Sequence, residues 1–175
     1  YESIQLSTLS ATYAKYIQLG KRTYFATRLK GKASFPVYQP FLYFKGLGYL
    51  QDLVRGYELY AIDGQHYLLN RNSVRYRFFS KVFDFGKIIP IRQFRTMPVD
   101  LYLTFFSDWG AAFNNKPFRN YPLIISDNSR LSNKLLGSIG AGLHIVTFYN
   151  SVLRFETSYN LENEFHFFLN IGTDI

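Results

Sequence analysis

Cysteine is absent from the 175-residue chain, so it can build no disulfide framework, no thiolate metal site and no cysteine nucleophile. An apolar run of roughly 18 residues is also missing, which excludes a membrane-spanning helix. Spanning strands need only about 9–11 residues each and are not excluded. Acids are scarce: 12 Asp and Glu stand against 20 Lys and Arg, a formal charge of +8. Such a surplus suits nucleic acid, an anionic lipid surface or a polar lumen. The cations form no continuous block and accompany no recognition helix, so nucleic acid ranks last and is not expected as a partner. Catalytic patterns are lacking too. His66, His144 and His166 have no metal-binding spacing, no Gly-x-Ser-x-Gly elbow surrounds Ser107, and Gly46-x-Gly48 lacks the third glycine of a nucleotide loop. The chain reads as non-enzymatic, with no cofactor and no metal. It starts at Tyr1 without an initiator methionine or a signal peptide, and is expected to be a processed protein or part of a longer one.

Aromatic residues are abundant, with 18 Phe and 15 Tyr against one Trp, yet the mean hydropathy is only −0.10. Apolar residues must therefore alternate with polar ones, as in a soluble β-sandwich or in a barrel with aromatic girdles at two membrane interfaces. Seven strand-like runs are predicted, at about 5–14, 23–34, 67–79, 101–111, 135–148, 152–160 and 165–172. In the second, Phe25, Leu29 and Ala33 oppose Arg28, Lys30 and Lys32. In the third, Val74, Tyr76 and Phe78 oppose Arg71, Ser73, Arg75 and Arg77. The fourth puts Asp108 on its more polar face with Tyr102, Thr104, Phe106 and Gly110. In the sixth, Arg154 and Glu156 share the polar side. A soluble core would not accept three arginines on its inner face, whereas a lumen or a solvated face would.

Long connections follow the second and fourth runs and short ones follow most others, so one end of the sheet carries loops and the other tight turns. The segment 81–98, with Gly86, Pro90 and Pro98, reads as a turn region, and 114–133 as a second polar loop. The loop 35–66 is too long and too apolar to be a plain surface connection, and is expected to fold inward. At its centre stand Val54, Arg55, Gly56 and Tyr57. A guanidinium beside a glycine suits a sharp turn that offers a two-point grip on a carboxylate.

These residues resemble the C-terminal half of the barrel in the outer-membrane assembly and secretion superfamily of the BamA, TamA and FhaC types. Val54-Arg55-Gly56-Tyr57 is similar to that family's loop motif, and Phe106-Ser107-Asp108-Trp109-Gly110 to its Phe-x-Asp-x-Gly strand motif, whose aspartate receives the arginine. Arg154-Phe155-Glu156 resembles the Arg-x-Asp pair of the penultimate strand, with Glu in place of Asp. Phe167, Leu169, Ile171, Gly172 and Ile175 resemble a C-terminal assembly signal, although Ile175 stands where Phe is usual. Ser73 stands where the family often has Glu.

The resemblance implies an all-β, antiparallel transmembrane barrel, of which residues 1–175 supply about seven C-terminal strands out of about sixteen, preceded by POTRA domains. It implies an outer-membrane location, a lumen bearing Arg75, Arg154 and Glu156, and a loop pinned to Asp108. The implied function is insertion or translocation of client polypeptides among outer-membrane lipids, with accessory proteins of an assembly complex. A passive pore, a two-partner-secretion translocator and a soluble lipocalin-like binder are the alternatives.

Overall fold

The computed structural model describes residues 6–49, 52–84, 96–115, 130–147 and 151–173. Seven long strands form one antiparallel sheet: β1 (Ser7–Gln18), β2 (Thr23–Phe35), β5 (His66–Asp84), β6 (Thr96–Phe113), β7 (Leu135–Val146), β8 (Ser151–Asn160) and β9 (Phe165–Thr173). They lie in chain order, so β1 and β9 are the two edges. Two short strands, β3 (Lys45–Leu47) and β4 (Ile62–Asp63), pair with each other inside the long connection between β2 and β5. The fold is all-β, as the alternation predicts.

Several boundaries differ from the sequence-based expectation. β5 and β6 run to Asp84 and from Thr96, into the segment expected to be a turn region. The reason is a bulge between Arg77 and Phe79, which shifts the phase of alternation and hides the continuation of the strand. β1 extends to Gln18, because a tight turn lets it pair with β2 as far as Gln18 opposite Tyr24. Gly86, Pro90 and most of the 114–133 loop lie outside the described residues, as does Ile175.

Cross-strand register assigns every side chain to one of two faces. Arg28, Arg71, Asp108, Ser138 and Asn160 fall in one row across five strands. The long loop packs on this side, which is here termed the loop-bearing face. Leu47, Val54, Tyr57 and Ile62 from the loop join Tyr67, Leu69, Ala112, Leu131 and Leu136 in the main hydrophobic cluster. The opposite, bare face exposes large apolar groups, among them Leu29, Val74, Tyr76, Leu103, Phe105 and Ile139. No Asp or Glu among the described strand residues points to the bare face, and its only charges are Lys15 and Lys81.

Burial beneath the loop therefore makes the loop-bearing side the packed one. Leu69→Ala should cost about 2–5 kcal/mol through the cavity it leaves. Leu103→Ala, on the bare face, should cost well under half as much in detergent. Chemical denaturation midpoints of the two variants test the difference, and equal losses would contradict the assignment of faces.

Candidate functional site

The loop reaches its functional residue by a sequence of short turns. The β3–β4 pair brings the chain onto the sheet, and a four-residue turn follows in which the Tyr57 amide donates to the Val54 carbonyl at 3.0 Å. Arg55 and Gly56 occupy its corners. Gly56 has φ +87°, a left-handed value that glycine adopts without strain, as the third position of a type II turn requires. A Cβ there would also stand 3.1 Å from Ser158 Oγ and 3.2 Å from Ser138 Cβ, so the turn sits directly on two small residues of β7 and β8.

From that corner the Arg55 side chain lies along the sheet. Its Nε donates to Asp108 Oδ2 and its Nη2 to Asp108 Oδ1, both at 2.7 Å, a bidentate pairing. The Arg55 backbone amide donates to the same carboxylate at 3.3 Å. Nη1 reaches Glu156 Oε1 at 3.3 Å, and the guanidinium carbon stacks 3.8 Å from the centre of the Phe106 ring. Arg71 Nε approaches Asp108 Oδ2 at 3.4 Å, so two guanidiniums and two carboxylates balance one another. Asp108 has no exposed surface and Arg55 only 8%. Burial alone would make Arg55 easier to deprotonate, but its bonds to Asp108 and the charges of Asp108 and Glu156 outweigh this and raise its pKa.

The flanking motif residues have distinct physical roles. Gly110 leaves the space that Val54 and Leu47 occupy: a Cβ there would come within 2.6 Å of Val54 Cγ2 and 2.9 Å of Leu47 Cδ1. Tyr57 is almost wholly buried, and its hydroxyl accepts the Leu161 amide at 3.2 Å. Asn160 Nδ2 donates to the Gly56 carbonyl at 2.9 Å, and Tyr60 Oη to Glu164 at 2.8 Å. On the other flank, Asp52 accepts from Lys30 Nζ at 2.7 Å and from Tyr67 Oη at 2.6 Å. The loop is thus tied across the sheet from β2 to the β8–β9 turn.

Sequence reasoning paired Arg55 with Asp108 but placed Glu156 only as a lumen charge. The structure brings Glu156 to the same guanidinium, and His144 bridges Glu156 (3.0 Å) and Thr104 (3.3 Å). A hydroxyl, an imidazole and a carboxylate in line suggest a nucleophile, yet Thr104 is fully buried and offers no approach to a substrate. The roles of Arg71, Asp52, Ser138 and Ser158 were also missed. For Ser138 a signal existed in the alternating small residues Ser138, Gly140 and Gly142 on one face of β7. Arg75 and Arg154 lie on the loop-bearing face, opposite Thr104 and His144 respectively. Phe167, Leu169 and Ile171 project from the bare face of β9, exposed, while Gly172 lies on the other side near Arg154. Among the described residues no group of three His, Asp or Glu is arranged to hold a metal.

No protein-family model matches the chain, and no curated protein or solved structure matches it either.

Removing one partner of a buried, hydrogen-bonded ion pair strands the other. Asp108→Ala should therefore cost about 3–5 kcal/mol, and Arg55→Ala a comparable amount. The double variant should lose much less than the sum, because the two changes delete one interaction. Denaturation of the three variants in parallel measures this, and additive losses would refute the coupling.

A pH dependence follows from the loop's acids. Burial pushes the Glu58 carboxyl up, only partly offset by backbone amides including Gly56 N–H at 2.7 Å. Burial likewise pushes up Asp63, against the hydrogen bond from Tyr49. An acid whose folded pKa is raised binds more protons folded than unfolded, so it costs stability as pH rises above the ordinary carboxylate range of about 4. Asp52 runs the other way: burial opposes its charge, but hydrogen bonds from Lys30 and Tyr67 prevail and lower its pKa. Glu58→Gln should flatten the fall in stability as pH rises above about 4.5. Unfolding midpoints with the same pH slope as the parent chain would overturn this.

Proposed function

We propose that this chain forms the C-terminal wall of a transmembrane barrel in the outer membrane of a Gram-negative-type cell envelope. On this reading the protein is an insertion and assembly factor of the BamA and TamA kind, with outer-membrane lipid, client polypeptides and accessory assembly proteins as its partners. The observation that carries the reading is the bidentate contact of Arg55 with Asp108, since it joins the two motifs on which the resemblance rests.

The faces of the sheet support the same view. A bare face with exposed Leu, Phe, Tyr and Ile and no acid among its described residues suits hydrocarbon, and the arginines lie on the opposite side. Phe35 and Phe113 gather with His66 at the long-loop end, and Phe79 stacks on Phe83 towards the other, as aromatic girdles would. The β9 edge is an open row of backbone donors and acceptors, the kind of template on which an incoming strand can pair. The loop, pinned by Arg55, braces the wall from within and keeps that edge in register. No bond is made or broken; the work is strand templating.

The intact protein, reconstituted in proteoliposomes, should accelerate folding of a urea-denatured outer-membrane barrel, and Arg55→Ala and Asp108→Ala should each slow it several-fold. Absence of acceleration, or full activity in both variants, would defeat the proposal. The membrane setting has its own check. Phe105→Arg should destabilise the barrel in bilayers by about 2–4 kcal/mol if the residue lies near the midplane. A negligible change would place that face in water.

A further inference from the structure

The bare face carries a polar interruption over four neighbouring strands, and its composition is specific. Lys15, Thr27, Asn72 and Ser107 fall in a single cross-strand row over β1, β2, β5 and β6. Thr27 Oγ1 donates to Asn72 Oδ1 at 2.8 Å, and Asn72 Nδ2 donates to Asn70 Oδ1 at 2.5 Å and to the Ser107 carbonyl at 3.3 Å. Beside it, Trp109 Nε1 donates to Ser107 Oγ at 2.9 Å, and Trp109 is the register partner of Asn70. The neighbours along the strands are apolar: Tyr13 pairs with Leu29, and Ile17 with Phe25.

On a wall that faces lipid, every polar group must find a partner, and these amides do so by bonding to one another. The chain of donors ends on the Asn70 amide, and Lys15 adds a fixed positive charge on a face with no described acid to neutralise it. Lys15 lies near the short-turn end of β1, whereas Ser107 lies well inside β6. With strands tilted as in a barrel, such a row runs obliquely from the rim into the wall. Successive strands are about 4.8 Å apart, so its four positions extend about 14 Å, wider than a single phosphate.

We infer that the rim end of this row, at Lys15, is a binding site for an anionic phospholipid. The phosphate meets Lys15 at the rim, and the acyl chains run inward over Tyr13 and Leu29. Charge decides for a lipid over a protein segment: one cation without acids selects an anion, and an apolar surround selects one that carries hydrocarbon. The inference rests on the membrane reading above and names a preferred lipid within it.

Trp109, the chain's single tryptophan, reports on the site. The intact protein is placed in phosphatidylcholine vesicles containing phosphatidylglycerol with brominated acyl chains, and in the mirror composition with bromine on the phosphatidylcholine. The signal of a Trp109→Phe variant is subtracted. Brominated phosphatidylglycerol should quench Trp109 preferentially, with a relative binding constant about fivefold above that of phosphatidylcholine, as attraction of one lysine to an anionic lipid implies. Lys15→Gln should abolish the preference, whereas Lys81→Gln, at the other outward lysine, should leave it. Equal quenching by both lipids, or a preference that survives Lys15→Gln or is lost equally in Lys81→Gln, overturns the site alone. Inorganic phosphate at millimolar concentration should leave the preference intact, and its erasure would show a free-anion site instead. No quenching by either lipid would sink the site and the membrane reading together.

Discussion

A buried guanidinium is tolerable only where its charge and its donors are met, and each of the three nitrogens of Arg55 finds a partner on β5, β6 or β8. Asp108 on β6 takes two of its N–H bonds, Glu156 on β8 takes a third, and Phe106 lies against its flat face. Each contact constrains an element. β6 and β8 must keep their register through β7 for both acids to reach one side chain, and the loop must turn within four residues to present it. Because an uncompensated charge here would cost several kcal/mol, the loop has no inexpensive intermediate seat.

Around that contact the molecule divides its chemistry by face. The arginines, carboxylates and buried histidine stand on the loop-bearing side, where they find each other and the loop. The other side keeps apolar groups exposed, relieved by one hydrogen-bonded row of amides and hydroxyls. In water such a bare surface would be an aggregation hazard, and in a bilayer it is the ordinary outer wall. The two sides thus have opposite solvent requirements.

Much of this was readable from order and spacing. The opposition of Val74 and Tyr76 to Arg71, Ser73 and Arg75 is a local, period-two signal, and the register agrees with it, whereas Phe78 falls in the bulge and has no partner across the ladder. The extent of β5 and β6 was not readable, because the bulge after Arg77 inserts one residue and reverses the pattern beyond it. The small residues under the turn were equally hard to interpret. Ser138 and Ser158 look like ordinary polar strand residues until Gly56 is seen to rest on them.

The sequence by itself determined the seven long strands in outline, the two faces where alternation is unbroken and the residues able to form a lock, since these depend on alternation and on side-chain chemistry within a few positions. Only the tertiary structure decided which acids share Arg55, that Lys30 and Tyr67 hold Asp52, and that Lys15, Thr27, Asn72 and Ser107 align. Those relations join residues as far as 101 positions apart. They are set by strand register, which arises from turn geometry and from packing beneath the loop rather than from any local preference of the chain.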